Sequence, residues 1–368
     1  MAISNGSFCS KLLVDAVQSV VPMKPTDPRE STRVVVSGSR SSTFFGMCFH
    51  IVMCYNKASD EDSGWVAAGW IKESLGRALS EQPLLAGRLR RHNDKGDEDL
   101  QIVSNDSGAR LVEARIDMNL TDFLDSKAKK DAETKFVFWE DILDQNPEFC
   151  PLFYVQVTNF KCGGYTIGIS SSLLLADPFV TTSFLKKWAD VHKSLVLKAD
   201  MPRMPTFYLP NLQSSAGETP SLLMDSKASK IVAQSVIFNI PTKISNLDSN
   251  NYHNLAALCI DEAEHIVGTK MASNFSLYVK KPDEDVEIEF CSKEGLIRKP
   301  ISNMNEFTCA NSWDVLGADE ICFNERNKAA YVSCWINSIF DEGSVMIVGS
   351  DNEYTSGTKI IVIFNAQK

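Results

Sequence analysis

The sequence predicts an α/β protein of two domains, and three observations support that fold class. At 368 residues the chain is long for one hydrophobic core and sufficient for two domains of roughly 150–200 residues. Residues 162–190 have the pattern of a buried strand, a turn and an amphipathic helix. Residues 199–230 collect prolines among many serines and threonines, which is typical of a linker. We therefore predict an N-terminal domain over residues 1–198, a crossover linker over 199–230 and a C-terminal domain over 231–368.

Composition and charge argue against several classes of function. The chain carries 37 Lys and Arg against 47 Asp and Glu, and a net charge of −10 does not suit a nucleic-acid partner. No apolar stretch approaches the roughly 20 residues of a transmembrane helix, and the short apolar run at 12–21 is not expected to be a signal peptide. The ten cysteines are scattered without a C-x-x-C pair, so we expect reduced thiols, a cytoplasmic protein and no metal site.

The segment at 162–190 is the one on which the prediction of a site depends. Residues 166–175 carry no charge, as expected of a strand that is buried on both faces. The run Ala176-Asp177-Pro178 ends the strand, because proline fixes φ and cannot continue a central strand. Apolar residues then recur every three to four positions, which predicts a helix with its apolar face inward: Phe179, Val180, Phe184, Leu185 and Trp188.

Hydrophobic periodicity predicts the other elements of the chain. Helices are predicted over residues 63–79, near 120–131, and over 255–266. The strand at 152–160 alternates, so we expect the core on one of its faces, and we expect it to pair with the strand at 165–175 through the turn at 161–164. Further strands are predicted over residues 44–55, 100–103, 109–116, 231–240, 274–279, 286–291, 329–336, 345–348 and 360–364.

The strand–turn–helix segment resembles the plant BAHD acyltransferases, which transfer an acyl group from coenzyme A to an alcohol or amine. In that family the strand ends in His-x-x-x-Asp-Gly and the helix carries Phe-Leu-x-x-Trp-Ala. Asp177 stands at the Asp position and residues 184–189 match the helix, but Leu173 stands where the family has its catalytic His. The resemblance extends to Leu-Ala-Gly-Arg at 85–88. It implies a two-domain, chloramphenicol-acetyltransferase-like fold, with mixed sheets, helices and a cleft between the domains.

The residue at position 173 decides what chemistry the resemblance implies. General-base catalysis contributes about 10²–10⁴-fold, and a leucine cannot accept a proton. None of the five histidines is followed by an Asp four residues later, so no shifted copy of the motif exists: His50, His92, His192, His253 and His265. We therefore predict that no catalytic residue is intact, and the resemblance implies that Asp177 is structural. Ser171, which shares strand parity with Leu173, completes a candidate cleft of Ser171, Leu173 and Asp177.

A second BAHD signature, Asp-Phe-Gly-Trp-Gly, is expected about nine residues after a Ser-Trp pair such as Ser312-Trp313. The residues at that place match the family only at the Phe: Cys322, Phe323, Asn324, Glu325 and Arg326. The C-terminal domain is also shortened. Loss of this signature is a trait of the eceriferum-type branch, and the stretches at 158–164 and 307–311 look similar to that branch.

The branch resemblance implies an accessory role in the elongation of very-long-chain fatty acids for plant wax. It implies acyl-CoA as a ligand with no permanently bound cofactor, and a fatty-acid elongase condensing enzyme as the partner. We expect a cytoplasmic monomer that associates with the endoplasmic reticulum through that partner.

Two alternatives stay open, so the sequence leaves undecided whether the protein is an enzyme. One is an active acyl-CoA-dependent O- or N-acyltransferase of plant specialised metabolism that uses another base or an intrinsically reactive acceptor. The other is a repurposed cleft with non-transfer chemistry, such as elimination.

Two further residues have structural interpretations: we expect His50 to be a satisfied histidine within a sheet, and Arg88 to anchor a carboxylate.

Overall fold

The protein is described by a computed structural model over residues 11–37, 45–58, 63–92, 99–143, 145–198, 234–241, 249–281, 285–296, 298, 308–310, 312–325, 327–337, 342–352 and 355–364. The predicted linker at 199–230 lies outside the described residues, and the domain boundaries stay a prediction. The helices are α1 (Gly64–Leu79), α2 (Leu120–Leu124), α3 (Lys129–Ala132), α4 (Pro178–Lys198) and α5 (Ser249–Val267). The strands are β1 (Leu12–Val20), β2 (Ser31–Ser37), β3 (Cys48–Tyr55), β4 (Arg88–His92), β5 (Asp99–Val103), β6 (Ala109–Ile116), β7 (Phe153–Phe160), β8 (Tyr165–Ser172), β9 (Gln234–Ile240), β10 (Asn274–Lys280), β11 (Val286–Ser292), β12 (Thr308–Ala310), β13 (Tyr331–Asn337), β14 (Gly343–Asn352) and β15 (Thr355–Phe364).

These strands form two mixed sheets. The first has the order β1-β6-β7-β8-β3-β13, and the second has the order β12-β9-β15-β14-β10-β11-β2-β5-β4. The pairs β6–β7, β10–β14 and β2–β11 are parallel, and the remaining pairs are antiparallel. Strand β13 from late in the chain closes one edge of the first sheet, while β2, β5 and β4 from early in the chain extend the second. The predicted α/β class with two mixed sheets is confirmed, and neither sheet is built from one half of the chain.

Strand β15 shows how the hydrophobic core is divided. Ile361 and Ile363 belong to a large cluster that joins the two sheets. Ile360 and Val362, on the opposite face of the same strand, pack into a second cluster with α5. Because both faces of β15 are buried, its sequence is a continuous apolar run and not an alternating one.

The centre of the first sheet is also covered on both sides. Strands β3, β7 and β8 are buried along their whole length, so the one-sided core predicted for residues 152–160 is wrong. Helix α1 packs on one face, and the 3₁₀ turn Glu133–Phe136 crosses the other. The turn fits because β8 has a glycine there: a Cβ at Gly168 would lie 1.8 Å from the carbonyl oxygen of Phe136.

Several predicted bounds change in the structure. The strand predicted over 166–175 ends at Ser172, where the chain turns and the Ala176 amide bonds the Ser172 carbonyl at 3.1 Å. The helix predicted near 120–131 is split into α2 and α3. Strands β5 and β6 lie in different sheets, so the residues between them carry the chain from one sheet to the other. Every cysteine that the structure describes is free. None of the described helices has both the length and the apolar character that crossing a membrane requires.

Candidate functional site

Leu173 lies in the turn that follows β8, and its side chain is only 1% exposed. Its amide bonds the carbonyl of Met47 at 3.1 Å, and its carbonyl accepts a hydrogen bond of 2.7 Å from the hydroxyl of Tyr278 in β10. The position that the resemblance assigns to a catalytic histidine is therefore occupied by a core leucine whose two backbone groups are both engaged.

Asp177 caps the N-terminus of α4. Its Oδ1 accepts hydrogen bonds from the amides of Phe179 at 2.8 Å and Val180 at 3.1 Å, and Pro178 begins the helix. An aspartate at this position satisfies amides that have no partner within the helix, and proline suits the first helical residue. The geometry around Asp177 is thus that of a helix cap.

Two lysines from the second sheet approach the same turn. Lys280 at the end of β10 donates to the carbonyl of Leu175 at 3.2 Å, and the ammonium of Lys359 in β15 lies 3.9 Å from the ring centroid of Phe179. Burial lowers the pKa of both lysines, and the negative charge of Asp177 opposes that shift. The turn therefore joins the two sheets and has amines beside it that lose a proton more readily than exposed lysines.

The three serines at the end of β8 have different environments. Ser170 Oγ lies 2.8 Å from Nδ1 of His50 in β3, and Ser172 Oγ accepts a hydrogen bond from the Leu174 amide at 3.3 Å. Ser171 Oγ is buried and has no hydrogen-bond partner among the described residues. The parity argument that linked Ser171 to Leu173 does not apply, because the strand ends between them.

His50 lies within a sheet, as predicted, but the expectation that it is satisfied is wrong, because its Nε2 is buried without a hydrogen-bond partner among the described residues. It is fully buried, its ring lies 5.1 Å from that of Trp335, and burial lowers its pKa to about 3. The ring is therefore neutral at physiological pH and bonded to a neighbouring strand.

Arg88 is a structural residue, but the predicted carboxylate is not its partner. Its guanidinium donates to the backbone carbonyls of Gly87 and Gly108 at 2.8 Å and of Ser107 at 3.3 Å. Gly87 allows a close approach, because a Cβ there would lie 2.4 Å from the Val103 carbonyl oxygen. Arg88 thus anchors the loop between the two sheets.

The segment that replaces the second signature packs against α4. Phe323 is buried, with its ring 4.9 Å from that of Trp188 and 5.4 Å from that of His192. Cys322 donates to the Asn324 carbonyl at 3.1 Å, and Arg326 lies outside the described residues. The one residue that matches the second signature therefore contacts the tryptophan of the first motif.

A match to a protein-family model identifies the family of this chain. The family model described as the Transferase family matches residues 16–236, which is more than half of the chain. This chain belongs to the BAHD acyltransferase family.

Two curated relatives of this BAHD chain are named as different kinds of protein, one as an ECERIFERUM protein and one as a hydroxycinnamoyltransferase. Protein ECERIFERUM 26-like of Arabidopsis thaliana is 31% identical over 119 residues, which are 32% of this chain and 27% of that protein. Hydroxycinnamoyl-CoA:piscidic acid hydroxycinnamoyltransferase of Actaea racemosa is 37% identical over 123 residues, 33% of this chain and 26% of that protein. The matches thus span about a quarter of each relative. The solved structure of vinorine synthase aligns with a TM-score of 0.49 and 15% identity over 96% of this chain and 95% of that one.

The residues of this BAHD chain that could bind a metal ion lie away from the turn at Leu173. Among the described residues, His253, Glu289 and Cys291 bring ligand atoms within 4.8 Å of one another. They lie on α5 and β11, whereas Leu173 follows β8. Burial raises the pKa of the Cys291 thiol to about 12, so the thiolate that a metal would need is strongly disfavoured.

Sequence reasoning missed Tyr278, Lys280 and Lys359. The two lysines belong to strands of the second sheet and no motif marks them. The available signal was weak: Lys280 ends the buried strand β10, where a charged residue must find a polar partner at the edge of the core.

Proposed function

We propose that this BAHD chain is impaired in acyl transfer and acts as an acyl-binding accessory protein in acyl-lipid metabolism. The observation that carries the proposal is the buried leucine at position 173, where the resemblance expects the general base. Without such a base, transfer loses about 10²–10⁴-fold in rate. The matches to ECERIFERUM 26-like and ECERIFERUM 2 support the link to very-long-chain fatty acids and wax, with which the eceriferum-type branch is associated.

In this role the protein works as a cytoplasmic monomer. It takes acyl-CoA as a transient ligand and reaches the endoplasmic reticulum through the condensing enzyme of a fatty-acid elongase. Addition of the purified protein to an elongase system is expected to change the chain length of the product. An unchanged product distribution counts against the accessory role.

The first test is a titration of the protein with short- and long-chain acyl-CoA that follows both binding and free-thiol release. We expect saturable binding without thiol release above the uncatalysed rate, across alcohol and amine acceptors. Sustained release with any acceptor would overturn the proposed impairment, and failure to bind either acyl-CoA would overturn the acyl-binding role.

An active acyltransferase is the second candidate, and Lys280 is the observation that favours it. Its lowered pKa and its hydrogen bond to the Leu175 carbonyl, two residues after Leu173, make it a candidate for the base that replaces the missing histidine. The hydroxycinnamoyltransferase relatives support this candidate to the same degree as the ECERIFERUM relatives support the first. In the reaction the acceptor oxygen or nitrogen bonds the acyl carbon, the carbon–sulfur bond breaks, and the acceptor proton passes through the base to the coenzyme A thiolate.

Two variants separate the candidates. If only the base is missing, Leu173→His raises thiol release by about 10²-fold or more, whereas the equally buried control Leu174→His does not. If Lys280 is the base, the unaltered protein already releases thiol and Lys280→Met abolishes that release. Rates are measured with a thiol reagent, and folding of each variant is checked by circular dichroism.

A further inference from the structure

A cavity of about 600 Å³ lies between α1, α4, the start of β8 and the segment that contains Phe323. Its volume is within the range of small-molecule sites in proteins, about 300–1,000 Å³. Slightly more than half of its wall is apolar, and the apolar part includes the side chains of Trp70, Ile167 and Val196. Because Ile167 lies near the beginning of β8, the cavity is at the other end of that strand from the turn at Leu173.

His192 supplies one buried polar group to this wall. The residue is 7% exposed, and its Nδ1 lies 3.0 Å from Ser74 Oγ. That oxygen also accepts the indole N–H of Trp188 at 2.9 Å and donates its own proton to the Ile71 carbonyl at 3.1 Å. With the hydroxyl proton used on Ile71, the nitrogen that faces Ser74 is the one that carries hydrogen.

This arrangement favours one tautomer of His192, because the Ser74 hydroxyl has a single proton and the Ile71 carbonyl accepts it. Nδ1 is the donor, so Nε2 on the far side of the ring keeps its lone pair as an acceptor. No hydrogen bond to Nε2 is made by the part of the chain that the structure describes. Burial lowers the pKa of His192 to about 4, so the ring stays neutral at pH 7.

The charged groups at the cavity include both signs. Lys193 is paired with Asp190 at 2.8 Å, and Glu325 lines the same cavity. An anionic ligand would meet Glu325 and a lysine that already has a partner, and a cationic ligand would find no carboxylate in the buried part of the wall. A neutral ligand suits this balance.

We propose that the cavity between α1 and α4 binds a neutral, mostly apolar small molecule whose hydroxyl group donates a hydrogen bond to Nε2 of His192. This site is separate from acyl binding near Leu173 and does not depend on it. The apolar part of the wall provides affinity, and His192 provides selectivity for an alcohol over an ether or an alkane.

The test compares 1-octanol with octyl methyl ether, which has a similar chain but no donor. Both are titrated into the full chain while tryptophan fluorescence, to which Trp70 in the cavity wall contributes, and heat are followed. We expect the alcohol to bind roughly tenfold more tightly, because the ether covers the Nε2 acceptor without donating a hydrogen bond to it. His192→Phe should remove this preference by weakening the alcohol alone, and Val196→Trp should weaken both probes by filling the cavity. His253→Phe, on α5, is the matched control and should change neither.

Equal affinity for the two probes overturns the proposal, as does a preference that survives His192→Phe or the absence of any binding. If His192→Phe fails to fold, nitrogen NMR of the unaltered protein tests the same hydrogen bond to Nε2. Addition of 1-octanol should shift the Nε2 resonance of a neutral, Nδ1-protonated His192. An unchanged resonance at saturating alcohol, or a ring protonated at Nε2, would refute the assignment.

Discussion

His50 and His192 are chemically similar and differ in access. Each ring is buried, and Nδ1 of each lies beside a serine hydroxyl, Ser170 at 2.8 Å and Ser74 at 3.0 Å. Nε2 of His50 is enclosed within the sheet, without a hydrogen-bond partner among the described residues and with the Trp335 ring nearby. His192 instead lines an open cavity. A neutral imidazole held by serine becomes a ligand acceptor only where the fold leaves space beyond its second nitrogen.

Replacement of each histidine by alanine should give the largest difference in stability between the two sites. We expect His50→Ala to lower the free energy of unfolding by about 3–4 kcal/mol, because it leaves a closed void and an unpaired Ser170 hydroxyl. His192→Ala should cost about 1–2 kcal/mol, because its void joins a cavity that water can enter. Urea denaturation measures both values. Equal losses would show that the two sites do not differ in access.

Acidification tests the feature that the two sites share. Burial lowers the pKa of His50 to about 3 and of His192 to about 4, so the unfolded chain binds protons that the folded chain does not. Stability is therefore highest above about pH 6.5 and falls as the pH decreases, by about 2 kcal/mol for each histidine between pH 7 and pH 5.

The contribution of His192 should level off near pH 4 and that of His50 nearer pH 3. Urea denaturation at a series of pH values measures the slope, and replacement of either histidine by glutamine should remove its share. A slope that neither variant changes would refute the assignment to these residues.

Replacement of Ser74 and of Ser170 by alanine should give the smallest difference in stability between the two sites. Ser74 has three hydrogen-bond partners, Ile71, Trp188 and His192, whereas the hydroxyl of Ser170 is bonded to His50. We expect Ser74→Ala to cost about 1–3 kcal/mol and Ser170→Ala about 1 kcal/mol, in proportion to the groups left unsatisfied. Thermal unfolding followed by circular dichroism measures both, and a larger loss for Ser170→Ala would reverse this part of the comparison.

Local patterns in the sequence were sufficient for the elements that depend on local periodicity. Helix α1, the pairing of β7 with β8, and the capped start of α4 at Asp177 all follow from nearby residues. The pairing of β2 with β11 does not, because register between distant segments leaves no local signal. The two-sided burial of β7 was missed for a related reason: the turn that covers it comes from another part of the chain.

The candidate sites were predictable to different degrees. The leucine at position 173 could be identified from motif spacing, but its bond to Tyr278 depends on the approach of the second sheet. The sequence also contains a signal for His192. This histidine follows Trp188 by four residues, so both lie on one helix face, and both meet Ser74. What the sequence could not provide was the empty space beside that face.

The exchange of strands between the sheets has a consequence for synthesis of the protein. Val34 in β2 is paired with Val286 in β11, and Cys48 in β3 with Asn337 in β13. Ribosomes add about 5–20 residues per second, so the early strands spend on the order of tens of seconds without their final neighbours. During that interval β2 and β3 present unpaired edges that can join other nascent chains. Productive folding of this protein is therefore expected to depend on chaperones that shield these edges until translation reaches the last strands.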